Sequence, residues 1–112
     1  MNDCIFCKII KKEINADIVK DETDWMCFQD INPKAPVHLL IIPKTHYDNL
    51  HSVNDDLIIV KLMNGVKTIV KELGLEKKGY RVIVNTGDDG GQTVSHLHLH
   101  ILAKRPLGWP PG

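Results

Sequence analysis

Residues His96, His98 and His100 form an H-L-H-L-H run that continues into Ile101 and Leu102. Strict alternation is the signature of extended backbone, where successive side chains point to opposite faces. The run therefore predicts a strand carrying three imidazoles on one face, spaced about 6.6 Å apart. Leu97, Leu99 and Ile101 would fall on the opposite face, against a core. A strand of that kind can hold metal, bind phosphate or make one histidine a nucleophile. The plainer alternative is a solvated histidine face, or an edge strand shielded by polar groups.

The rest of the chain supplies the partners such a strand needs. Ile5, Phe6, Ile9 and Ile10 recur at helical spacing, with lysines between them, and predict a short amphipathic helix. Ile18 to Lys20 and Trp25 to Gln29 read as strands flanking a polar turn, followed by a loop fixed by Pro33 and Pro36. Val37 to Ile42 is an apolar run ended by Pro43, as in a central strand. Ser52, with Asp55 three residues on, looks like a helix start, and Ile59, Leu62, Met63, Val66, Ile69, Val70 and Leu73 keep a 3.6-residue period. Gly74 then stops the helix. Tyr80 to Asn85 and Val94 to Leu102 complete the strands, with a glycine-rich loop over Thr86 to Gln92 between them. Helix, three strands, long helix and two strands imply an α+β domain. Short connections favour a five-stranded antiparallel sheet packed against the long helix and the short N-terminal one.

At 112 residues the expectation is one domain, 1–112. Lys plus Arg and Asp plus Glu number 14 each, so no basic excess points to nucleic acid. No apolar run approaches a membrane span, and the start lacks a signal-peptide layout; a cytoplasmic location is expected. Cys4 and Cys7 form a C-x-x-C pair. A redox pair sits at a helix start that follows a strand, and no strand has room to precede Cys4, so a zinc half-site is the favoured reading. Cys27 is expected to be a small buried apolar residue.

His38 lies inside the most apolar strand, as a satisfied core residue or as a group that orients a second imidazole. Asn85 ends the strand expected to pair with the histidines and faces the glycine loop, whose amides could approach phosphate.

Taken together, I-F-C-K-I-I, F-Q-D-I-N-P-K-A-P-V-H-L-L-I-I-P-K, G-Y-R-V-I-V-N-T-G-D-D-G-G-Q-T-V-S-H-L-H-L-H-I-L and the closing W-P-P-G resemble the histidine triad (HIT) family, in particular its Hint-like branch of purine nucleoside phosphoramidate hydrolases. The resemblance spans essentially the whole chain. It implies that His98 attacks the α-phosphorus to form a nucleotidyl-histidine that water then releases. It implies a supporting role toward that nucleophile for His38. His100, Asn85 and Thr93 match phosphate-contacting positions, with Gly91 and Gln92 in the same loop. Asp30 matches the ribose-binding acid. Ile5, Phe6, Ile9, Phe28, Ile31 and Leu40 match the apolar slot around the base. Thr93 stands where many relatives carry serine.

The resemblance also implies a structural zinc on Cys4, Cys7, His46 and His96, a set of two thiolates and two imidazoles suited to tetrahedral coordination. No cofactor is implied for catalysis itself. It further implies a homodimer in which the C-terminal tail of one chain approaches the partner's site. Extra apolar residues at Leu57, Ile58 and Val60 and on the Tyr80 to Asn85 strand fit a covered surface. The rival readings are a dinucleoside polyphosphate hydrolase, a nucleotide-binding regulatory protein with little turnover, and a zinc-binding structural module.

Overall fold

The computed structural model describes residues 3–112; Met1 and Asn2, where the reading of the chain start begins, lie outside the described residues. Helix α1 (Ile5–Ile10) leads into strands β1 (Ile18–Asp21), β2 (Trp25–Gln29) and β3 (Val37–Pro43). A 3-10 turn at Leu50–Ser52 precedes the long helix α2 (Asp56–Glu72), and β4 (Tyr80–Val84) and β5 (Leu99–Ala103) follow. The five strands form one sheet in the order β1-β2-β3-β5-β4. Every pairing is antiparallel.

Alternation along the strands separates two cores. Leu39 and Ile41 of β3 join Leu99 and Ile101 of β5, Trp25 and Cys27 of β2, and Leu62, Val66, Ile69 and Val70 of α2 in one cluster. The opposite face carries Met26, Phe28, Leu40 and Ile42 against Phe6 and Ile9 of α1. Both faces of the sheet are thus covered, which suits the nearly unbroken apolar run of β3. Cys27 is wholly buried, and burial pushes its thiol up to about 12, as befits a small apolar core residue. Helix α2 comes close to the sheet at Gly65: a β-carbon there would lie 2.6 Å from Ile41 Cδ1 and 2.9 Å from Trp25 Cε2.

Two local expectations are corrected. The long helix is capped by Asp55, whose carboxylate accepts from the Leu57 amide at 3.0 Å, not by Ser52. The amide and hydroxyl of Ser52 both bond to Asn49 Oδ1 at 3.1 Å, so Ser52 belongs to the preceding 3-10 turn. The last strand is shorter than Val94 to Leu102. Its ladder with β3 begins at Leu99, paired with Ile41. Before that point the backbone and rings find other partners: the Leu97 amide donates to Tyr47 O at 2.7 Å, and the His96 ring bonds Pro43 O at 2.9 Å. The in-and-out alternation survives, because Leu97 still packs in the α2-side cluster.

The stop at Gly74 holds: this residue takes φ +67°, and the Leu75 amide closes back on Val70 O at 2.9 Å. Among the described residues no helix is long and apolar enough to cross a membrane.

Candidate active site

The face of β3 that carries Leu40 and Ile42 also carries His38, one residue out of phase with Leu39 and Ile41. Leu40 pairs with His100 and His38 with Leu102, and antiparallel partners share a face, so His38 and His100 meet on the α1 side. A pocket of about 280 Å³ opens there. Its lining includes Ile5, Phe6, Ile9, Phe28, Asp30, Ile31, Leu40, Thr93, His98 and His100, all residues that the sequence singled out. It also includes Ile14, Asn15, Ala16, Gln29 and Val94, which the sequence did not. Ile14, Asn15 and Ala16 lie in the connection between α1 and β1, where neither periodicity nor a motif marks them. Ile31 is a rim residue, 93% exposed.

His98 is buried, with Phe6 edge-on against its ring at 5.2 Å between centroids. Its Nδ1 lies 2.7 Å from the His96 carbonyl, which can only accept, so the proton sits on Nδ1 and Nε2 carries a lone pair. No described residue hydrogen-bonds that Nε2. Since every buried side-chain nitrogen or oxygen among the described residues has a partner, Nε2 must reach the pocket.

His100 is ordered differently. His38 Nδ1 accepts from the Lys34 amide at 3.0 Å, which puts the His38 proton on Nε2. That Nε2 lies 2.9 Å from His100 Nδ1 and 3.4 Å from Asp30 Oδ2. His100 therefore accepts at Nδ1 and keeps its own proton on Nε2. Burial, chiefly, lowers His100 to about 4 and lowers His38 as well, so both rings are neutral at pH 7. The side chains of Asp30, His38 and His100 lie within 4.8 Å of one another, close enough for a metal. The amide that fixes His38 Nδ1 leaves a proton, not a lone pair, facing that space; the trio is a hydrogen-bonded chain. His38 acts on His100 and makes no hydrogen bond to His98. Asp30 is steadied by the Asn32 amide at 2.8 Å on Oδ1.

The first histidine of the run belongs to a second cluster. His96 Nδ1 lies 3.3 Å from Cys4 Sγ and 3.6 Å from Cys7 Sγ, and His46 Nδ1 lies 3.3 Å from Cys7 Sγ. The four ligand atoms all fall within 4.8 Å of one another. Tetrahedral zinc with ordinary Zn–S and Zn–N bonds places sulfur and nitrogen about 3.6 Å apart, so the donor set fits. The far nitrogens support the same reading. His96 Nε2 is held by Pro43 O at 2.9 Å and His46 Nε2 by Asp48 Oδ1 at 2.8 Å, which leaves both Nδ1 lone pairs facing the thiols. Burial lowers His96 to about 4 and keeps it neutral, whereas the Asp48 carboxylate raises His46. Cys4 also caps α1, its sulfur accepting from the Cys7 amide at 3.4 Å. This explains why the C-x-x-C pair begins a helix without a preceding strand.

Three residues expected at the nucleotide lie outside the pocket lining: Asn85, Gly91 and Gln92. The Asn85 side chain donates to Gly90 O at 2.7 Å, and Gly91 takes φ +78° beside it. Both hydrogens of the Gln92 amide are used within the loop and its surroundings: Nε2 donates to Asp48 O at 2.7 Å and Val94 O at 3.0 Å, and Oε1 accepts from Gly87 N at 3.0 Å. Here these three shape the loop that carries Thr93 and Val94 to the pocket.

A family model described as the HIT domain matches residues 11–107. Among related sequences, a 14 kDa zinc-binding protein of Zea mays is 44% identical, with 96% of this chain and 87% of that protein covered. A HIT family hydrolase from Legionella pneumophila superposes with a TM-score of 0.94 at 43% identity, covering 98% of this chain and 100% of that one. A histidine triad nucleotide-binding protein from Candida albicans gives 0.88 at 37% identity, covering 96% and 83%. With the family match extending over most of its length, and a five-stranded sheet that superposes on the Legionella hydrolase, this chain belongs to the HIT domain family.

Proposed function

We propose that the chain hydrolyses purine nucleoside monophosphate derivatives, phosphoramidates above all, through a covalent nucleotidyl-histidine on His98. The observation that carries the reading is the Nε2 lone pair of His98, open to a largely apolar pocket beside the N–H of His100. Neutral imidazole is a competent nucleophile near pH 7. Nε2 attacks the α-phosphorus, an N–P bond forms, and the bond from phosphorus to the leaving amine breaks as the amine takes up a proton from solvent. The ring is then cationic. Its Nδ1–H bond to the His96 carbonyl becomes charge-assisted and stronger, so the same contact that sets the tautomer also stabilises the intermediate. His100 Nε2–H donates to the phosphoryl oxygens as charge builds there. Water attacks the phosphorus in turn and gives up a proton to solvent, the N–P bond breaks, and the monophosphate leaves with the lone pair returned to His98. The Asp30 carboxylate has acceptor capacity left for the two ribose hydroxyls, and Phe6, Ile9, Phe28 and Leu40 provide apolar surface for a base.

The same reading places zinc on Cys4, Cys7, His46 and His96. Four protein ligands close its coordination shell, so the ion supplies a structural cross-link. It also includes a homodimer: β4 is an edge strand, Leu57, Val60, Met63, Tyr80 and Val84 are exposed, and Arg81 of β4 holds the tail through Leu107 O and Gly108 O at 3.2 and 2.8 Å. Sedimentation showing only monomer at micromolar concentration would refute the dimer.

The test is His98→Asn assayed with adenosine phosphoramidate. Turnover should fall by at least about 10⁴-fold while AMP still binds, as for loss of a nucleophile. Unchanged turnover sinks the assignment. A dinucleoside polyphosphate cleaved with the higher kcat/KM moves the reading to that substrate class. AMP binding with no turnover of either substrate by the native protein makes it a regulatory binder.

A further inference from the structure

We infer that Gln92 is a positioning residue that braces the phosphate-side loop against the metal cluster, so that metal retention and nucleotide-site geometry depend on one side-chain amide. The inference rests on the zinc and nucleotide reading above. Four hydrogen bonds carry it. His46, a ligand through Nδ1, is oriented by Asp48 Oδ1 at its Nε2. The carbonyl of that same Asp48 accepts from Gln92 Nε2 at 2.7 Å. The other Nε2 hydrogen goes to Val94 O at 3.0 Å, and Val94 lines the pocket that holds His98. Gln92 Oε1 closes the loop by accepting from Gly87 N at 3.0 Å.

Both amide hydrogens and one lone pair of the oxygen are spent on backbone groups, Gly87 and Val94 of its own loop and Asp48 of the distant His46–Asp48 stretch. A residue spent in this way has little left to offer a ligand. It does fix the distance between the His46–Asp48 segment, which sequence places 44 residues away, and the stretch that delivers Thr93 and Val94. His46 is the most solvent-accessible of the four ligand side chains, the exposed member of the set. It is therefore the ligand whose orientation has most to gain from an outside brace.

The experiment uses zinc-loaded full-length protein and two variants. Gln92→Glu keeps the acceptor for the Gly87 amide and loses the donors to Asp48 and Val94; Gln92→Ala loses all three. Zinc transfer to a chromophoric chelator should be at least about fivefold faster than native in both variants, the equivalent of one net hydrogen bond. The KM for adenosine phosphoramidate should rise in both, with kcat reduced less. Hydrogen exchange should quicken at residues 86–94 and stay slow at Ile69 and Val70 in α2. A role confined to the hairpin would leave Gln92→Glu like native in zinc release, and that result overturns the inference. Should Gln92→Ala fail to fold, the Gln92→Glu measurement decides alone. If the native protein binds no nucleotide, the functional reading falls while the zinc-release measurement still judges the brace.

Discussion

His96 and His98 are two residues apart on the same face of the same segment, packed against the same Phe6 ring, yet they are built for different work. His96 is closed at both nitrogens, one to the Pro43 carbonyl and one to the thiols of Cys4 and Cys7. His98 is closed at one nitrogen only, through the carbonyl of His96 itself. In the proposed function the ring satisfied on both sides serves as a metal ligand, and the ring with a lone pair facing the pocket serves as the nucleophile. What separates them is the set of acceptors each meets. His96 supplies through its own backbone carbonyl the contact that orders the His98 ring, so the two regions are physically joined.

The largest effect that separates the two regions is His98→Asn, which should cost at least about 10⁴-fold in turnover and leave zinc content and melting temperature near native. If zinc is lost along with activity, the two regions are one site and the comparison breaks. Chelating the metal, or Cys7→Ser, acts from the other side. It should remove on the order of 4 kcal/mol of stability where free zinc had stood a thousandfold above its Kd, read as a lower urea midpoint. An unchanged midpoint would mean that the Cys–His cluster holds no stabilising ion.

Gly65→Ala probes the face that neither site uses. The added methyl meets Ile41 and Trp25 under α2, so overpacking should destabilise by roughly 1–3 kcal/mol with KM and zinc content unmoved. A change in KM would show that the α2 face transmits to the pocket.

The smallest effect is in pH. His100 titrates near 4 in the fold, mainly through burial, against 6.5 when exposed, so between those values the unfolded chain binds more protons. Stability should therefore fall as pH drops from 6.5 toward 4. In His100→Gln the decline in urea midpoint over that window should be shallower than in the native protein at equal zinc; an identical slope would exclude His100 as a buried neutral ring.

The sequence showed the alternation of the histidine strand, the apolar run of β3, the stripe of α2 and its glycine stop, because each is a local period or a local turn requirement. The apolar and acidic residues of the pocket were legible through the family motifs. The α2 cap was misplaced because Ser52 and Asp55 both carry capping oxygens, and only the packing of the 3-10 turn consumes Ser52. Asn15 and Ala16 carried no signal at all; they line the pocket because the α1–β1 connection folds back over the sheet.

By itself, then, the amino-acid order determined which side chains alternate, where the chain turns, and that five imidazoles and two thiols are available for the two clusters. Tertiary structure alone decided which nitrogen of each imidazole keeps its proton. That choice depends on carbonyls, amides and thiols brought from β3, α1 and the Lys34 loop, and partners distant in sequence leave no local period behind. Gln92 is the clearest case: the motif marks it as part of the nucleotide-side loop, and the fold adds a bond from its amide to the Asp48 carbonyl, 44 residues away in sequence, which comes within reach only when the loops are assembled.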